Sequence, residues 1–123
     1  MNPFKDQEWF MRACDQTVGT YNKEQFALYT NLIGEESFEL AVAIRENDRI
    51  EQLDALVDIL VVTIGAIHSM GADAEGAWEE VMKTNAAKID LDTGKVRKRE
   101  DGKVLKPEGW VPPDLAPFVK KIE

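Results

Sequence analysis

Ala55-Leu56-Val57-Asp58-Ile59-Leu60-Val61-Val62-Thr63-Ile64-Gly65-Ala66-Ile67 contains one ionisable residue, Asp58. An ionised carboxylate in apolar surroundings costs several kcal/mol unless a charge, a metal or hydrogen-bond donors compensate it. The preceding helical stretch offers no cation for this; it offers Glu35, Glu36 and Glu39. Four or more acids meeting at one place read most simply as a divalent-cation site. The same stretch is apolar on almost every side from Leu53 to Ile67, so a helix there must be covered all round. Three companion helices in a chain of 123 residues are too few to do so, and a dimer or higher oligomer is expected.

Working outward, Asp48 is a good cap for a helix from Arg49 to Met70, with Gly71 as the residue that ends it. Before it, Glu46-Asn47-Asp48 forms a turn. Asn22 can cap a long helix through about Arg45, whose Phe26, Tyr29, Leu32, Ile33, Phe38, Leu40 and Ile44 recur at three- and four-residue steps. Asn2-Pro3 starts a first helix, Lys5 to about Cys14, with Trp9, Phe10 and Met11 as its apolar surface. Asp15 to Tyr21 reads as a connection. Asp73 caps a fourth helix, Ala74 to about Ala87, with Trp78, Val81 and Met82 inward.

Beyond Ile89 the pattern changes. Asp92-Thr93-Gly94 and Glu100-Asp101-Gly102 are turn signals, and Pro107, Pro112, Pro113 and Pro117 forbid a long helix. A short hairpin, Lys95 to Arg99 against Lys103 to Lys106, is predicted. The reading is all-α: a single domain over 1–123, a bundle of four to five helices. Its helical body covers 1–88, and 89–123 form a basic, Pro-containing, partly hairpin-like tail.

Charge follows the same division. Residues 1–82 carry five Lys/Arg against sixteen Asp/Glu, and residues 83–123 carry ten against seven, within an overall charge of −8. An acidic body disfavours general nucleic-acid binding, which needs a basic footprint. It suits a bound cation in the body and a phosphate-bearing ligand under the tail, although a solvated acidic surface accounts for the net charge equally well. Cys14 and His68 are each alone, which rules out an intrachain disulfide and Cys- or His-cluster metal chemistry. No signal-peptide pattern appears and the apolar run is too short and interrupted to span a bilayer. A cytoplasmic protein is expected.

Geometry ranks the acids. On one helix Glu35 and Glu39 are stacked, and Glu36 and Glu39 are three apart. Glu51, Asp54 and Asp58 lie on one stripe of the next. In an antiparallel hairpin about Asn47, Glu39 is level with Ala55 and Glu36 with Asp58. The compact set is therefore Glu36, Glu39, Asp54 and Asp58, with Glu35 at its edge. All-oxygen ligation of this kind selects Mg²⁺ or Mn²⁺. Between Lys83 and Lys106 lie eight Lys/Arg as phosphate partners, and Trp110 with the prolines suggests that the tail docks on the body.

These residues resemble the MazG-like all-α NTP pyrophosphohydrolases. The resemblance rests on Glu35-Glu36-x-x-Glu39, an acidic turn, and the segment from Asp54 to Gly65. It extends to Lys83-Thr84-Asn85-Ala86-Ala87-Lys88, to Arg99 through Lys106 before Pro112-Pro113-Asp114-Leu115, and back to Phe10-Met11-x-Ala13-x-x-Gln16. It implies Mg²⁺- or Mn²⁺-dependent cleavage of a nucleoside triphosphate between its α and β phosphorus, with two or more ions per site, in a homodimer or homotetramer. The family pattern is EExxE followed by ExxD, and this chain departs from it. Its literal ExxD is Glu51-x-x-Asp54, yet the apolar segment aligns better with Asp58 as the second acid, leaving Ala55 at the Glu position.

The metal ligands expected are thus Glu35, Glu36, Glu39, Asp54 and Asp58, with Glu35 also positioning or deprotonating the attacking water. Asn85, Lys88, Lys103 and Lys106 are expected on the phosphates, and Gln16 and Asn31 on the base. The substrate favoured is a purine (d)NTP such as dGTP. The alternatives are dUTP or dCTP, phosphoribosyl-ATP, or a metal-binding helical oligomer without activity.

Overall fold

In a computed structural model, described here for residues 2–119, four α-helices dominate: α1 (Pro3–Ala13), α2 (Lys23–Arg45), α3 (Arg49–Ser69) and α4 (Ala74–Ala86). Their starts follow from capping. The side-chain carbonyl of Asn2 accepts the Lys5 N–H, that of Asn22 accepts the Gln25 N–H, and the Asp48 carboxylate accepts the Glu51 N–H, at 2.9–3.1 Å. Each bond satisfies a donor that the first helical turn leaves without a partner. Asn47, at φ 54°, turns the chain between α2 and α3, and the Asp48 N–H closes the turn on the Ala43 carbonyl at 3.0 Å. Gly71 ends α3 at φ 79°; a side chain there would also meet the Thr20 backbone at 2.9 Å. The helix boundaries agree with the sequence reading to within one or two residues. No single helix among the described residues is long and apolar enough to cross a membrane.

The chain divides into two compact units, one ending at Ala74 and the other running Glu75–Phe118. In the first, α2 and α3 are the principal packed pair, and α1 lies against α3. Its core is Met11, Tyr29, Val62 and Ala66, with Val18, Phe26, Leu32 and Ile33 around them. Gly65 is required by this packing: a Cβ there would sit 2.3 Å from the Tyr29 ring. Several buried polar groups of this core are paired. Gln25 bridges the Thr17 backbone and the Ser69 hydroxyl, and His68 Nε2 lies 2.9 Å from the Phe4 carbonyl.

The second unit contains α4, then the strands β1 (Ile89–Asp90) and β2 (Lys95–Val96). These pair antiparallel around Asp92-Thr93-Gly94, with Ile89 opposite Val96. The predicted hairpin of Lys95–Arg99 against Lys103–Lys106 is present only in part, as a bridge from Lys98 to Val104 flanked by Arg99 N–H to Lys103 O and Leu105 N–H to Arg97 O, both 2.8 Å, because Lys95 and Val96 pair with β1 instead. Arg99 and Asp101 pair across its turn. Trp110 docks on α4 through its indole N–H, which donates to the Thr84 carbonyl at 2.8 Å.

Burial corrects the sequence reading at several apolar positions. Phe38 and Ile44, read as core-facing, are 69% and 59% exposed in the single chain, and Trp78 and Met82 are exposed as well. On α3, Leu53, Leu56, Val57 and Leu60 are exposed too, in line with a helix too apolar for three companions to cover. Periodicity shows that these side chains belong to an apolar stripe, and it carries no information about whether the covering surface comes from the same chain.

Candidate functional site

The α2–α3 hairpin sets the candidate site. Glu36 and Glu39, one helical turn apart on α2, face Asp54 and Asp58, one turn apart on α3. Glu36 is the focus. Its carboxyl is pushed above its ordinary range by desolvation first. A hydrogen-bonding approach by Glu39, and then the charges of Glu39, Asp58 and Asp54, add to this. Asp58 is pushed up in the same way, by desolvation and then by Asp54 and Glu39. Both shifts have the same causes, partial loss of solvent at the carboxyl and crowding by like charge, while Glu39 and Asp54 themselves are exposed.

Glu36 as a whole is half-buried, but its Oε2 is shut off from solvent and has no hydrogen-bond partner. No Lys or Arg among the described residues forms an ion pair with Glu35, Glu36, Glu39, Asp54 or Asp58. Nor do three or more His, Cys, Asp or Glu side chains among them converge tightly enough to hold an ion as they stand.

Glu35 and Asn31 are exposed on α2. Gln16 is turned to the core, where its Oε1 accepts the Tyr29 hydroxyl at 2.5 Å. The remaining candidates lie in the second unit. Lys88 donates to the Asn85 side-chain carbonyl at 3.1 Å. The Lys88 and Lys106 ammonium groups lie 5.1 and 4.8 Å from the centre of the Trp110 ring. The Lys103 backbone N–H is held by Asp101 in the hairpin turn. A cavity of about 460 Å³ opens beside Trp110, between the end of α4 and the segment Pro107 to Asp114. The sequence reading gave Trp110 only a docking role. Its place among the lysines had one signal, a tryptophan in a basic tail.

Residues 7–85 match the family model for phosphoribosyl-ATP pyrophosphohydrolase. The match spans α2, α3 and all four carboxylates of the cluster. The chain belongs to this family. It is a MazG-like all-α pyrophosphohydrolase, a hydrolase acting on phosphoric anhydrides. No curated protein matches the chain. The match to this pyrophosphohydrolase family ends at Asn85, so Lys88, Lys103, Lys106 and Trp110 lie beyond it.

Proposed function

We propose that this pyrophosphohydrolase cleaves a nucleoside triphosphate between its α and β phosphorus, releasing the monophosphate and pyrophosphate, with Mg²⁺ or Mn²⁺ as cofactor. The observation that carries the reading is the buried, unpartnered Oε2 of Glu36 amid Glu39, Asp54 and Asp58. A buried anionic oxygen without a donor is costly, and the neighbouring side chains add acceptors, not donors. Hard oxygen ligands in this number fit a divalent cation, or two or more, held by Glu36, Glu39, Asp54 and Asp58 with Glu35 at the edge. When bound, the cation neutralises phosphate charge and lowers the pKa of water.

The residues of the chain do the rest. Glu35, exposed beside the cluster, takes the proton of the attacking water. Lys88, Lys103 and Lys106 neutralise the polyphosphate, and Asn85 orients Lys88 through the hydrogen bond they share. Gln16 and Asn31 are proposed base contacts, Gln16 through the amide N–H₂ that its bond to Tyr29 leaves available. The exposed apolar side chains of α2 and α3 support assembly into a homodimer or homotetramer, which covers Leu53, Val57 and Leu60. The preferred substrate is a purine (d)NTP such as dGTP, and the proposed setting is the cytoplasm. The description of the matching family favours phosphoribosyl-ATP as a second reading. Both substrates undergo the same cleavage.

The test is to incubate the purified protein with each canonical NTP and dNTP and with phosphoribosyl-ATP, in Mg²⁺ or Mn²⁺, and to resolve the products. Monophosphate and pyrophosphate, abolished by EDTA, are expected. Release of orthophosphate, or turnover that survives EDTA, would overturn the proposal.

A further inference from the structure

The end of α4 and the tail put two cations on one aromatic ring. Lys88 Nζ is 5.1 Å and Lys106 Nζ 4.8 Å from the centre of the Trp110 ring, within the range of a cation–π contact. The ring itself is fixed. Its N–H donates to the Thr84 carbonyl, in the last turn of α4, where helical carbonyls lack a partner from the helix itself. The backbone N–H of Lys88 bonds to Asn85 instead, which leaves the Thr84 carbonyl to Trp110. Lys88 is further oriented by the Asn85 side chain.

Neither ammonium group forms an ion pair with a carboxylate among the described residues, although the chain carries 23 Asp and Glu. Two like charges repel, and a shared ring quadrupole offsets part of that repulsion without consuming the charge of either. The arrangement keeps a pair of cations together and available, which is what a ligand bearing adjacent phosphates requires.

We infer that Trp110 is a positioning residue whose indole ring holds Lys88 and Lys106 as a paired receptor for the polyphosphate of the substrate. The inference rests on the reading that the substrate carries a triphosphate, and it goes beyond the phosphate roles of the two lysines by naming what sets their geometry. Trp110 acts through the two lysines, by setting where their ammonium groups lie.

Inorganic tripolyphosphate, titrated calorimetrically into the full chain in EDTA, tests it without turnover. Trp110→Leu should weaken binding about tenfold, the sum of two modest cation–π contacts. Trp110→Phe keeps an aromatic face and loses the N–H bond to Thr84, and should stay within about threefold of the parent. In the Lys88→Ala/Lys106→Ala background, Trp110→Leu should have no further effect, because the two act as one unit. With the nucleotide that turns over, Trp110→Leu should raise KM and leave kcat nearly unchanged.

Unchanged tripolyphosphate affinity in a folded Trp110→Leu variant would overturn the inference. So would a Trp110→Phe variant as weak as Trp110→Leu, since the N–H bond and not the ring would then matter. If no nucleotide turns over but the affinity pattern holds, the paired anion site stands and the substrate reading fails.

Discussion

The α2–α3 hairpin and the basic tail are complementary in what each lacks. Among the described residues, Glu36, Glu39, Asp54 and Asp58 of the hairpin form no ion pair with Lys or Arg, and Lys88 and Lys106 of the tail form none with a carboxylate. Elsewhere in the chain opposite charges pair locally, as Arg12 with Glu8 and Arg99 with Asp101 do. The absence of ion pairs among these described groups is compatible with ligands of the opposite sign at each place. A divalent cation answers the hairpin and a polyphosphate answers the tail.

The comparison breaks most sharply at Asp58. Asp58→Asn removes one of the two carboxylates whose ionisation the site opposes. Turnover is expected to fall by about a thousandfold or more, while melting in EDTA occurs at the same or a higher temperature. A folded variant with parental kcat would remove the hairpin from the chemistry.

Next in size is the apolar stripe beside the acids. Leu60→Glu puts a charge on a surface proposed to be covered by another copy, and should cost assembly about 2 kcal/mol or more. Light scattering after size-exclusion chromatography should show the parent as an oligomer and the variant shifted towards monomer. A monomeric parent at micromolar concentration would refute assembly altogether.

In the tail, smaller and different effects are expected. Lys88→Ala and Lys106→Ala should each raise KM about tenfold, the value of one charge-assisted hydrogen bond, with kcat little changed. Loss of kcat with constant KM would place these lysines at the reacting centre instead.

The smallest effect separates the two regions by pH. Glu36 and Asp58 have raised carboxyl pKa values in the folded chain, so the folded state binds more protons than the unfolded state as pH rises through the carboxylate range. Their stabilising contribution is complete below the ordinary carboxylate values and is lost as pH climbs through the raised ones. In EDTA the melting temperature should therefore fall as pH rises from about 4 to 7, and Mn²⁺ should restore more at about pH 7 than at about pH 5. Glu36→Gln should flatten both responses. A parental profile in that variant would show that Glu36 does not carry them.

Much of this was legible in the chain. Asn2, Asn22 and Asp48 announce three helix starts because a short polar side chain before an apolar period has few other uses. The separation of Asp58 from any neighbouring cation marks it as a special acid, and hairpin geometry alone selects Glu36, Glu39 and Asp54 as its companions. The exposure of Phe38 and Ile44 was not legible. Hydropathy reports what a side chain prefers to touch and says nothing of whose surface provides it.

By itself, then, the sequence determined the helical order, the caps, the turn at Asn47 and the four acids that share one side of the hairpin. All of these follow from local periodicity and from spacing across a short connection. Only the tertiary structure decided that one oxygen of Glu36 is sealed off without a partner, that Gln16 is turned to Tyr29, and that Lys88 and Lys106 meet on Trp110. Those outcomes depend on rotamers and on contacts between residues distant along the chain. No local rule fixes them, because each is settled by which neighbours the fold brings within a few ångströms.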